Sequence, residues 1–137
     1  MERTLVMVKP DAVAARHVGE VIHRFEAAGL AVRGLKLVHL SREEAERFYQ
    51  VHRERPFFAG LTAFMSSGPT VAVLLEGPEA IPRVRQLMGA TDPAKAEAGT
   101  LRRDFATSIE RNAVHGSDSP ESAAYEIPFF FSGLDHA

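Results

Sequence analysis

Short β-branched runs alternate along this chain with amphipathic helical stretches, and their order leaves few ways to bury the apolar faces. Thr4 to Val8 reads as a strand stopped by Pro10. Val18, Val21, Ile22 and Phe25 recur at i, i+3, i+4 and i+7, which predicts a helix over 18–28 ended by Gly29. A strand from Leu30 to Leu40, with His39 inside it, leads into Ser41-Arg42-Glu43-Glu44, a capping box for a helix that buries Ala45, Phe48 and Tyr49. Phe57, Phe58, Leu61, Phe64 and Met65 mark another helix. Thr70 to Leu75 is the clearest buried strand, followed by a helix carrying Ile81, Val84, Leu87 and Met88.

A loop over 89–99, order again from Leu101 to Phe105, a last strand over 108–114 and a last helix from Ser119 to Glu126, ended by Pro128, complete the chain. The series β, α, β, α, α, β, α, β, α has the strand-helix-strand-strand-helix-strand logic of a ferredoxin-like α+β sandwich with added helices. It predicts an antiparallel sheet with helices on one face. Residues 1–137 are read as one domain, a length that buries a proper core without staples. Phe129-Phe130-Phe131 must pack back onto that core or against another subunit, so self-association is expected.

Composition removes several classes of function. Zero cysteines exclude a disulfide framework, a thiol nucleophile and a zinc-thiolate site. The longest aliphatic run, Val71 to Leu75, is too short to span a bilayer, which reads as a cytoplasmic protein with no membrane partner. A net charge of -2 argues against nucleic acid as a required partner. The arginines nevertheless gather in the C-terminal half, at Arg83, Arg85, Arg102, Arg103 and Arg111, a spacing that can converge on phosphate.

The chemistry is densest in Arg111-Asn112-Ala113-Val114-His115-Gly116-Ser117-Asp118-Ser119. Imidazole is both nucleophilic and substantially unprotonated at neutral pH, so His115 can attack an electrophile once its neighbours fix its orientation. Gly116 leaves one face of it uncrowded and permits unusual dihedrals. Ser119 suits an N-cap and Pro120 the first helical position. The same residues also fit an ordinary strand-to-helix turn, where Asn, Gly, Ser and Asp are favoured. Lys9 stands at a strand end, His17 and His23 read as surface, and His52 and His136 have no supporting neighbours and receive no role.

Lys9-Pro10-Asp11, Arg55-Pro56-Phe57-Phe58, Gly89-Ala90-Thr91-Asp92-Pro93 and Asn112 through Ser119 occur in an order and spacing that resembles the nucleoside diphosphate kinases, from about Arg3 to Phe131. The resemblance implies transfer of the γ-phosphoryl group of a nucleoside triphosphate to a nucleoside diphosphate, by ping-pong turnover through a phosphohistidine. It assigns the nucleophile to His115, with Glu126 hydrogen-bonding its other ring nitrogen and Ser117 as a nearby hydroxyl. Lys9, Tyr49, Arg85, Thr91, Arg102 and Asn112 match the donors around phosphates and ribose that phosphoryl transfer requires.

By the same resemblance Phe57 and Ile109 sandwich the base, and stacking alone implies broad base specificity. It implies Mg2+ bridging phosphate oxygens, with Asp118 reaching it through water, and a homo-oligomer, hexamer or tetramer, in which the loop of Pro93 meets another subunit. Ala12, Ala15, Ala98 and Arg103 depart from the residues usual in the family, and none of them removes a catalytic group. A catalytically silent nucleotide-binding module on the same fold is the competing class. The complete set His115, Lys9, Arg102, Asn112 and Glu126 favours the enzyme.

Overall fold

A computed structural model of the chain describes residues 1–135 and 137; His136 lies outside the described residues. Its elements run β1 (Glu2–Val8), α1 (Pro10–Ala14), α2 (Val18–Ala27), β2 (Ala31–Val38), α3 (Arg42–Phe48), α4 (Phe58–Met65), β3 (Thr70–Gly77), α5 (Ala80–Met88), α6 (Leu101–Phe105), β4 (Val114–Gly116) and α7 (Pro120–Phe130). Single 3₁₀ turns at Gln50–His52 and Pro93–Lys95 connect α3 to α4 and α5 to α6. The four strands form one sheet in the order β2-β3-β1-β4, with every pairing antiparallel. With α2 and α5 as crossovers, this is the ferredoxin-like α+β arrangement expected from the element order.

Alternation along the central strands explains the layering. Leu5 and Met7 of β1 join Ala72 and Leu74 of β3 in a core shared with Ala45, Phe48, Met65, Phe130 and Phe131. Val6, Val8, Val71, Val73 and Leu75 point the other way, onto Val21 and Phe25 of α2 and Val84 and Met88 of α5. Both sheet faces are therefore covered, which corrects the expectation of helices on one face only. The added helices α3, α4 and α7 bury the second face, so β1 reads as a continuous apolar run rather than an alternating one. Phe25 is fully buried, and Phe25→Ala would cost about 3–5 kcal/mol through lost transfer energy and the cavity left behind.

Local signals set several boundaries. Ser41 accepts from the Glu44 backbone N–H at 3.1 Å and Glu44 returns a bond to the Ser41 N–H at 2.8 Å, the capping box read from the sequence. Helix α2 ends before Gly29, whose φ of +91° suits the residue after a helix terminus. Pro10 opens α1, since Pro-Asp after a strand can start a turn or a helix, and here it starts a short helix.

Three boundaries fall elsewhere than expected. Strand β2 ends at Val38 and leaves His39 outside it. The last strand occupies Val114–Gly116 instead of 108–114, because Ser108 to Arg111 closes into a turn: Thr107 N–H donates to Arg111 O at 2.9 Å and Arg111 N–H to the Ser108 hydroxyl at 3.0 Å. Ala113 follows with a φ of +73°, incompatible with a strand. Helix α7 continues through Pro128 to Phe130. Proline there leaves the Ala124 carbonyl without its N–H, but Ile127, Phe130 and Phe131 pack into the second core and hold the last turn in place. The phenylalanine run thus folds back onto the sheet, the first of the two alternatives that its sequence left open.

Candidate active site

The end of β1 and the centre of β4 lie side by side, and that pairing builds the site. Met7 is in register with His115 and Val8 with Val114, so Lys9 leaves its strand beside the histidine loop. The Lys9 N–H donates to Ala113 O at 2.8 Å, and Asp11 Oδ2 accepts from the Ala113 N–H at 3.0 Å. Asp11 thereby holds Ala113 in its left-handed conformation, which costs a non-glycine residue about 1–2 kcal/mol. The sequence reading gave Asp11 no role, although Lys-Pro-Asp was the visible signal.

His115 is half-buried, and its Nε2 lies 2.7 Å from Glu126 Oε1. The same carboxylate oxygen accepts from the Ser117 hydroxyl at 3.0 Å, while the Ser117 oxygen accepts from the Leu5 N–H at 3.4 Å. Helix α7 brings Glu126 there. Its start is fixed by Ser119 and Ser122, which cap each other's backbone N–H groups at 3.1 and 3.0 Å. Phe48 and Tyr49, at the end of α3, set their ring edges against the imidazole with centroids 5.5 and 5.8 Å away. Phe48 is a further wall of the site that the sequence alone placed only in the core.

Gly116 serves packing rather than unusual dihedrals, which corrects the expectation for that residue. Its φ is not positive, and a Cβ there would come 2.6 Å from Met88 Sδ and 3.2 Å from Val84 Cγ1. Its absent side chain lets β4 approach α5, and α5 carries Arg85.

A pocket of ≈ 850 Å³ opens over the histidine, and its lining includes Lys9, Tyr49, Phe57, Arg85, Thr91, Arg102, Ile109, Asn112, His115, Asp118 and Glu126. Every site residue read from the sequence lines it except Ser117, which lies beneath the wall against Glu126. Of the five clustered arginines it receives Arg85 and Arg102. Arg83 turns away to the Ala28 carbonyl, Arg103 stays exposed, and Arg111 lies over the Phe64 ring at 5.3 Å.

Electrostatics in the pocket run against burial. Lys9 Nζ donates to Asn112 Oδ1 at 2.8 Å, and its pKa is pushed down to about 8, first by desolvation and then by Arg102. Arg102 donates to Val114 O at 2.8 Å and Gly89 O at 3.2 Å, and its pKa falls to about 10 through burial and then Arg85. Arg85 reaches the Gly116 carbonyl at 3.4 Å. The Arg102 Nε and the Tyr49 hydroxyl are buried with no protein partner, and burial raises the Tyr49 pKa. Three cationic side chains, Lys9, Arg85 and Arg102, on the wall of one cavity call for a polyanion to balance them. Asp118 at the rim is held below its usual pKa, first by its hydrogen bond with Ser122.

Phe57 and Ile109 are 47% and 59% exposed at the mouth, where large apolar side chains are free to stack on a flat ligand. Thr91 lines the wall and its carbonyl accepts from Asn112 Nδ2 at 3.4 Å. The two residues that close the mouth beside Ile109 and Phe57, Glu110 and Arg53, were not singled out by the sequence, where they read as ordinary surface charge.

Known proteins share both sequence and fold with this chain. The family model described as nucleoside diphosphate kinase matches residues 2–135. A nucleoside diphosphate kinase of Nitrosomonas europaea is 60% identical over 135 residues, covering 98% of this chain and 96% of the relative. One from Desulfosudis oleivorans is 58% identical over 135 residues, covering 98% and 97%. The solved nucleoside diphosphate kinase of Aquifex aeolicus superposes with a TM-score of 0.98 at 50% identity, covering 99% of both chains. A nucleoside diphosphate kinase family protein from Babesia bovis gives 0.95 at 41%, covering 100% and 93%.

Fold and cation-lined cavity together with these relatives define a nucleotide-dependent phosphotransferase. The chain belongs to the nucleoside diphosphate kinase family, and it transfers a phosphoryl group from nucleoside triphosphates to nucleoside diphosphates.

Proposed function

We propose that His115 carries the phosphoryl group in transit, and that turnover is ping-pong with one pocket serving donor and acceptor in turn. The observation that supports this best is the 2.7 Å contact between His115 Nε2 and Glu126 Oε1. With the Nε2 proton donated to that carboxylate, the other ring nitrogen, Nδ1, keeps its lone pair and is the nucleophile. It attacks the γ-phosphorus, the bond to the β-phosphate oxygen breaks, and the diphosphate leaves with that electron pair. An incoming diphosphate then takes the phosphoryl group by the reverse displacement. Imidazole gains positive charge as the N–P bond forms, and Glu126 stabilises that charge.

Lys9, Arg85 and Arg102 hold the phosphates, and Asn112 orients Lys9. Thr91 and Tyr49 supply the remaining donors. Phe57 and Ile109 stack on the base, which admits every base because each has a π-face. Among the described residues no three His, Cys, Asp or Glu side chains gather into a cage for a metal ion. Asp118 and Glu121 do line the pocket, a donor set that fits a cation held mainly by the nucleotide's own oxygens. Asp118 is the residue to hold Mg2+ through water, and the cation, when bound, neutralises charge on the phosphate oxygens.

No helix among the described residues is long and apolar enough to cross a membrane. A cytoplasmic location fits that and the absence of cysteine. Self-association, as hexamer or tetramer, is supported by edge strand β2, where Leu35 and Leu37 are 53% and 69% exposed. Initial-velocity kinetics test the ping-pong reading. With ATP varied at several fixed concentrations of a different acceptor diphosphate, double-reciprocal plots of initial velocity should be parallel. Lines that intersect, the mark of a ternary complex, would reject it.

A further inference from the structure

Helix α4 puts Phe57, Gly60 and Leu61 on one face of its first turns, the spacing at which helical neighbours meet, and Phe57 and Leu61 line the pocket. Across the mouth, the turn that presents Ile109 continues into Glu110. The carboxylate of Glu110 reaches over to that same turn of α4, so closely that a Cβ on Gly60 would stand 2.9 Å from Glu110 Oε1. Arg111, next in sequence, lies over the Phe64 ring of the same helix and holds the turn against it. Glu110 thus closes one end of the slot between Phe57 and Ile109, and Gly60 is the space its carboxylate needs. Its charge is felt inside the cavity, where it offsets part of the fall in the Lys9 pKa.

An ionised carboxylate only accepts hydrogen bonds. A base edge reaching it is favoured by N–H donors, most of all by two adjacent ones that engage both oxygens, and disfavoured by carbonyl acceptors. Guanine presents such a pair in its N1–H and 2-amino group. We propose that Glu110 is a specificity-determining residue that biases this otherwise base-tolerant pocket toward guanine nucleotides, by accepting from that edge. The proposal rests on the reading that Phe57 and Ile109 stack the base, and it deepens that reading without requiring any change in the phosphoryl-transfer step.

Guanosine and inosine diphosphates differ only by the 2-amino group, and both keep the stacking surface. With saturating ATP as donor, the ratio of kcat/KM for GDP over IDP in the wild type is expected to be about tenfold, the lower end of what one hydrogen bond to a charged group is worth at an open mouth. Glu110→Ala should bring that ratio to within about twofold of one. Gly60→Ala keeps the charge and should also lower it, because the new methyl displaces the carboxylate. A wild-type ratio near one, or a ratio unchanged in Glu110→Ala, would overturn the proposal. Phe57→Ala separates the two readings: stacking predicts that it lowers kcat/KM for both nucleotides together. No loss for either would reject stacking at Phe57, whereas the GDP over IDP ratio reports on Glu110 alone.

Discussion

His115 Nε2 and Ser117 Oγ converge on a single oxygen of Glu126, at 2.7 and 3.0 Å. A glutamine in place of that glutamate keeps the shape and one acceptor oxygen for His115 and Ser117, but loses the charge and turns the second oxygen into a donor amide. Glu126→Gln is therefore expected to lower kcat by about 100-fold with little change in KM, the pattern of an interaction made mainly in the transition state. Steady-state kinetics with matched thermal melts would check it. An equal loss carried by KM would mean that Glu126 serves nucleotide binding instead.

Lys9 should make nucleotide binding sensitive to alkaline pH. In the free enzyme its pKa is about 8, and a bound polyphosphate raises it by favouring the charged form. KM for the triphosphate is then expected to climb as pH rises above about 8, with proton uptake on binding near that pH. Calorimetry in buffers of different ionisation enthalpy would measure the uptake. A KM that stays flat to pH 9.5, with no uptake, would contradict it.

The same group has a consequence for folding. Its folded pKa of about 8 is below the ordinary value of 10.5, so the unfolded chain binds the extra proton between them. The penalty is fully present below pH 8 and relieved as pH rises toward 10.5. It amounts to about 3 kcal/mol. Lys9→Met, which removes the buried charge, should raise the denaturation midpoint at pH 7 while depressing activity. A midpoint that falls would show that Asn112 and the neighbouring acids already compensate the buried ammonium.

Gly89 joins loop geometry to the position of Arg102. Its φ is +88°, a Cβ there would lie 2.5 Å from the Thr100 hydroxyl oxygen, and its carbonyl accepts from Arg102. Gly89→Ala should cost about 1–3 kcal/mol through left-handed strain and overpacking, and raise KM because Arg102 loses a fixed acceptor. Chemical denaturation and steady-state kinetics read the two effects separately. An unchanged KM in a destabilised protein would show that Val114 O alone positions Arg102.

Local patterns made much of the fold legible. The Ser41–Glu44 box, the Val18-Val21-Ile22-Phe25 stripe and the Thr70 to Leu75 run each declared an element, because capping, helical period and β-branched burial act over a few residues. Tertiary competition decided the rest. Pro128 signals a helix end on its own, but the phenylalanines beyond it gain more by packing on the sheet. Residues 108–114 hold only Ile109 and Val114 as strand formers, and the Asp11 bond to Ala113 and the Ser108–Arg111 turn bend them into the pocket wall. Gly116 announced a special position whose reason, the approach to Met88, lies 28 residues away in sequence and is invisible locally.

For the site, residue types within one stretch spoke clearly and long-range pairs did not. His115, Gly116 and Ser117 advertise their chemistry by adjacency. The side chains that surround them come from β1, α3, α5, α6 and α7, and their grouping was available only through resemblance to a family. Asp11, Phe48 and Glu110 each look ordinary in sequence, and only tertiary contacts bring Phe48 and Glu110 to the pocket and Asp11 to Ala113.

Covalent capture of the phosphoryl group tests the central claim most directly. Purified protein with γ-labelled ATP, magnesium and no acceptor should take up an acid-labile, alkali-stable label, and added nucleoside diphosphate should discharge it as a new triphosphate. His115→Ala run beside it should take up none. Folded wild-type protein that binds nucleotide but stays unlabelled, or a His115→Ala variant that labels equally well, would contradict phosphoryl transfer through His115.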